Sequence, residues 1–83
     1  MNKIVKLTIK QINDLNKQIS SDNDFMTNVE LCALIVEKIN WIIENISKKS
    51  PYYKKSFIKQ LEKIAEDKWK IVEMTYNVMI ETN

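Results

Sequence analysis

Three carboxylates alternate with four lysines near the C-terminus: Glu62, Glu66 and Glu73 among Lys59, Lys63, Lys68 and Lys70. A pair of carboxylates is what glycoside hydrolysis uses, one as acid and the other as nucleophile or base. Here Glu62–Glu66 and Glu66–Lys70 are i,i+4 neighbours, the pattern of a solvated helix face. The rest of the inventory argues against catalysis. The 83 residues contain no His, no Gly, no Arg and a single Cys, Cys32. Ser-His and Cys-His nucleophilic pairs, His/Cys zinc centres and a disulfide framework are therefore excluded. A glycine-rich phosphate loop is excluded as well, because the backbone must approach phosphate where a Cβ would stand. No nucleophile is spaced with its base, so no enzyme, no metal and no cofactor are expected.

A second group of residues suits binding. Lys48, Lys49, Lys54, Lys55, Lys59 and Lys63 interleave with Tyr52, Tyr53 and Phe57. Lysines supply point charges for phosphate, and aromatic rings supply faces on which bases stack. A lysine-rich first turn also opposes the helix dipole, at a few tenths of a kcal/mol per charge. Tyr52, Tyr53, Lys54 and Lys55 are thus one candidate ligand patch. The net charge of +2 is too small for a protein that grips a DNA or RNA duplex.

The elements that must position these residues are helical. Thr8-Ile9-Lys10-Gln11 has the form of a capping box, with Leu7 and Ile12 at the staple positions. It predicts an extended Lys3–Leu7 and a short helix from about Ile9, whose Ile9, Ile12, Leu15 and Ile19 keep helical spacing. Ser20–Asp24 is a polar break with several candidate N-caps. A second helix is predicted over Phe25–Ser47 and a third over Pro51–Glu81, with Ser50 as N-cap and Pro51 at the first helical position. A short connection makes the last two an antiparallel hairpin. The expected fold is all-α: one domain, 1–83, with a short N-terminal helix and a long antiparallel helical hairpin in an oligomeric bundle.

The oligomer follows from helix two. Met26, Val29, Cys32, Ala33, Ile35, Val36, Ile39, Ile42, Ile43 and Ile46 make an apolar stripe wider than one neighbouring helix covers. A second copy is the expected cover, with Trp41, Ile42, Ile43 and Ile46 at the contact. Cys32 sits within this stripe as a small hydrophobe, as expected in a reducing cytoplasm. No run approaches the roughly 18 apolar residues of a membrane span, and no signal peptide is evident.

Leu7-Thr8, Ile9-Lys10-Gln11, Ile12 and Leu15-Asn16 resemble the start of the first helix in the phage anti-CBASS cyclic-oligonucleotide sponges. Glu30-Leu31-Cys32-Ala33-Leu34-Ile35 resembles the opening of that family's hairpin, and the last helix matches as an amphipathic segment with an aromatic, Trp69. The identities cover about ten residues within an architecture that spans most of the chain. Ile4 stands where the family often has Tyr, the linker Ser20–Asp24 replaces its Gly, and Arg is absent. The resemblance implies a compact multimer that sequesters cyclic di- or trinucleotides without cleaving them. It implies Thr8 and Asn16 as polar contacts, with Lys10 or Lys17 as phosphate partners. The competing expectation is a helical protein-binding inhibitor or immunity module that acts on a host protein through the apolar face of helix two.

Overall fold

The computed structural model describes residues 2–46, 48–49 and 53–82, and the side chains of 2 and 79–82 are not among those described. Three helices account for it: α1 (Asn2–Gln18), α2 (Phe25–Asn45) and α3 (Lys55–Thr82). There is no strand among the described residues. The all-α expectation holds.

Helix α1 begins at Asn2, seven residues before the Ile9 start that its capping box predicts. Val5, Thr8 and Ile12 fall on one face at helical spacing and all three are buried. Keeping Lys3–Leu7 helical brings Val5 into the core, and that burial outweighs a local cap. Thr8 is consequently mid-helix, and its hydroxyl donates to the Ile4 carbonyl at 2.8 Å. Leu7, the expected staple residue, is exposed.

Between α1 and α2 the chain is tied by Asn28. Its Nδ2 donates to the Ser20 carbonyl at 2.9 Å, and its Oδ1 accepts from Asn23 Nδ2 at 2.9 Å and the Ser20 N–H at 3.4 Å. Asp24 then caps α2, its Oδ1 accepting the Thr27 N–H at 2.7 Å. That bond holds the Asp24 carboxyl below its ordinary value, since it stabilises the charged form. Helix α2 stops at Asn45, with the Ile46 N–H bonded to the Ile42 carbonyl. Helix α3 starts at Lys55, with Tyr53 and Lys54 ahead of it outside the helix, and the Lys54 carbonyl accepts the Ile58 N–H at 3.0 Å. The expected Ser47 terminus and the Ser50-Pro51 start lie outside the described residues.

Helix α2 packs against both α1 and α3, and those two do not approach each other closely. The core runs through Val5 and Ile12 of α1, Ile35, Ile39, Ile42 and Ile46 around α2, and Ile58 and Leu61 of α3. Most of the α2 stripe from which a second subunit is expected packs inside the chain, while Met26 at its start is exposed. Ile42 is 0% exposed and Ile46 is buried in the same core. Ile43 packs partly against that core, and Trp41 alone of the four expected contact residues is exposed, at 38%. The 28 residues of α3 span about 42 Å, which makes the molecule long, 48 × 22 × 16 Å.

Candidate functional site

Two helix faces meet to form a groove of about 330 Å³. Helix α1 contributes Ile4, Thr8 and Gln11, spaced by four and three residues, and α2 contributes Leu34, Glu37, Lys38 and Trp41. This α2 face lies one residue to the side of the core stripe of Cys32, Ile35, Ile39 and Ile42, so its side chains splay outward beside α1. Ile4, Leu34 and Trp41 give the groove its apolar surface and all three are exposed. Lys38 Nζ donates to Gln11 Oε1 at 3.0 Å, linking the two helices across it. The groove thus combines an indole face, an ammonium, an amide and a carboxylate. Those are recognition groups: a flat apolar surface with a few placed polar atoms.

Two other hollows are different in kind. One of about 240 Å³ lies between α1 and α3 over Ile35, bordered by Ile12, Asn13, Asn16, Ile64, Asp67 and Lys68. The other, about 570 Å³, belongs to α3 alone and is lined by Trp69, Val72, Glu73, Tyr76 and Asn77.

The residues expected to bind ligand do not converge. Thr8 lines the first groove, but it is buried and its proton is engaged by Ile4. Asn16 borders the second hollow. Lys10 and Lys17 are exposed on α1 and border none of the three. Tyr53 packs on the core, Lys54 and Lys55 are exposed at the start of α3, and Tyr52 lies outside the described residues.

Gln11, Leu34, Glu37 and Lys38 were missed by sequence reasoning, and Trp41 was assigned to a subunit contact. The signal for the α2 half was present: Leu34, Lys38 and Trp41 at i, i+4 and i+7 beside the core stripe. The α1 half was hidden because Ile4 joins this face only when the helix begins before Thr8.

Chemistry is not prepared at Cys32. It is 0% exposed, and burial pushes its thiol above the ordinary value, with Lys68 acting weakly in the other direction. Among the described residues no three His, Cys, Asp or Glu side chains are placed to hold a metal. No described helix is long and apolar enough to cross a membrane.

No protein-family model, no curated protein and no solved structure matches the chain.

Proposed function

We propose that this protein is a binding module that captures a cyclic di- or trinucleotide in the Trp41 groove and holds it without cleaving it. The observation that carries this reading is the meeting of Trp41, Lys38 and Gln11 at one groove. A base needs a flat apolar face and polar atoms at its edge, and a phosphate needs a cation. The resemblance to the phage anti-CBASS sponges supports the same ligand class, and with it a counter-defence role in a host cytosol. In this reading α2 and α3 form an antiparallel hairpin, with α1 laid along α2 as the second wall of the site.

A second reading rests on the apolar part of the same groove. Ile4, Leu34 and Trp41 are exposed together. They suit the apolar face of a helix from a host protein, which the chain would inhibit.

Thermal melts separate the two. A ligand that binds only the native state stabilises it by RT ln(1 + [L]/Kd), about 2.7 kcal/mol at a hundredfold excess over Kd. For a domain of this size that is a rise of several degrees. Cyclic di- and trinucleotides tested singly should include one that gives such a rise in the wild type and none in Trp41→Ala. A wild-type melt unmoved by all of them contradicts nucleotide capture and leaves the protein partner.

A further inference from the structure

Helix α3 carries more apolar surface than its own chain covers. Its core-facing positions are Ile58, Leu61, Ala65 and Thr75. One turn to the side stand Trp69, 46% exposed, and Tyr76, 65% exposed, two turns apart with Val72 between them. At 1.5 Å per residue their Cα atoms are about 10 Å apart, enough for a side chain of a facing helix to enter between the rings. The hollow there has about 570 Å³ and is bordered by no residue of α1 or α2. Trp69 Nε1 donates to Glu73 Oε1 at 2.8 Å, which satisfies the indole N–H while the residue stays exposed.

The charge pattern says what covers this face. Lys55, Lys59 and Lys63 against Glu62 give the N-terminal part of α3 a net +2. From Glu66 onward, Glu66, Asp67, Glu73 and Glu81 against Lys68 and Lys70 give −2. No acid stands in the first turn and no base in the last, so the side chains add to the helix dipole where they usually oppose it. Helix α2 offsets this only in part: it holds Glu30 toward its N-terminal end and Glu37 and Glu44 against Lys38 in its C-terminal half, where Lys48, Lys49 and Lys54 follow in sequence. A rod with one basic and one acidic half is complementary to itself turned end for end.

We propose that two copies of the chain pair antiparallel along α3, with Trp69 and Tyr76 of each at the contact and the basic half of one α3 beside the acidic half of the other. The contact is isologous, so a single patch serves both copies and the assembly closes as a dimer. Both aromatic rings are large amphipathic anchors of the kind that carry interface energy. The pairing uses α3 and does not depend on what the Trp41 groove binds.

Sedimentation equilibrium over a dilution series tests it. At low salt the wild type should approach twice 9.9 kDa at the concentrated end. Tyr76→Lys and Trp69→Lys should each raise the dimer dissociation constant roughly tenfold or more. Leu7→Lys, which alters an exposed apolar residue elsewhere, should leave it unchanged, and far-UV circular dichroism should be the same for all. In the wild type, raising salt to about 0.5 M should weaken the dimer, because attraction between opposite halves is screened. A parallel pair would place like halves together and strengthen with salt. A monomer at every concentration overturns the proposal, as does a dimer that strengthens with salt, ignores Tyr76→Lys and Trp69→Lys, or is lost equally with Leu7→Lys.

Discussion

Trp41 and Ile42 are adjacent in sequence and opposite in consequence. Ile42 is fully buried among the residues that join the three helices, while Trp41 stands in the groove between α1 and α2. Truncating a buried isoleucine removes its transfer energy and leaves a cavity. Ile42→Ala should therefore cost about 2–5 kcal/mol in urea denaturation, a large share of what a domain this small possesses. Trp41→Ala should cost much less, because its indole is already in contact with water. Equal losses would mean that the groove is core. Cys32 gives a prediction with a pH sign. Its folded-state thiol lies above the ordinary value because burial disfavours the thiolate. The native state thus keeps a proton that the unfolded state releases. The associated stability is full below the ordinary thiol value, 9.0, and is lost as pH rises from there through the folded-state value. Comparing wild type with Cys32→Ala by denaturation across that alkaline range should show the steeper decline in the wild type. A disulfide reagent should leave Cys32 unmodified until the chain unfolds, and rapid modification of native protein would contradict its burial.

At the scale of the element, α2 and most of α3 were legible and α1 was only half so. The Phe25 start of α2 follows a polar break that supplies Asp24, and Asp24 is the residue that caps it. Periodicity is clearest in the N-terminal part of α3, where Ile58, Leu61 and Ala65 pack on the core, whereas Trp69 and Tyr76 farther along are exposed. The start of α1 was misread because a local motif, Thr8 with Gln11, has the letters of a capping box in a position where tertiary burial favours continuing the helix. Nothing local to Lys3–Leu7 reveals that Val5 has a core waiting for it. Two substitutions separate these arrangements. Val5→Ala should cost about 1–3 kcal/mol, since a buried side chain is truncated, whereas an extended and solvated Val5 would lose almost nothing. Thr8→Val should be nearly neutral, within about 1 kcal/mol. The Ile4 carbonyl keeps its helical bond from the Thr8 N–H, and valine fills the same buried space. If Thr8 were the cap, the same change would remove the helix start and lower stability clearly. The Asn28 tie to Ser20 is a further feature that spacing alone did not disclose, because it joins residues eight apart through a turn whose shape the sequence leaves open.

For the whole molecule, composition excluded more than it identified. The lack of His and Gly excluded His-based nucleophile pairs and glycine-rich phosphate loops, yet it left open which surface recognises what. Of the ligand patch near the first helix, the structure brings only Thr8 into the Trp41 groove, while Asn16 borders another hollow and Lys10 and Lys17 border neither. The physical reason is that residues close in sequence on a helix point in different directions, and partners such as Gln11 and Lys38 meet only after two helices have docked. The charge halves of α3 are of the same kind: readable as letters, but meaningful only once that helix is seen to run nearly the full length of the molecule. The central claim is that the Trp41 groove holds a cyclic oligonucleotide, and indole fluorescence tests it most directly. With Trp69→Phe in place, Trp41 is the only indole left in the chain. Titrating that variant with cyclic di- and trinucleotides should quench Trp41 emission saturably for the ligand that binds, and Lys38→Ala should weaken that titration roughly tenfold, as expected for a charge-assisted phosphate bond. Emission that stays constant with every cyclic nucleotide would contradict the assignment.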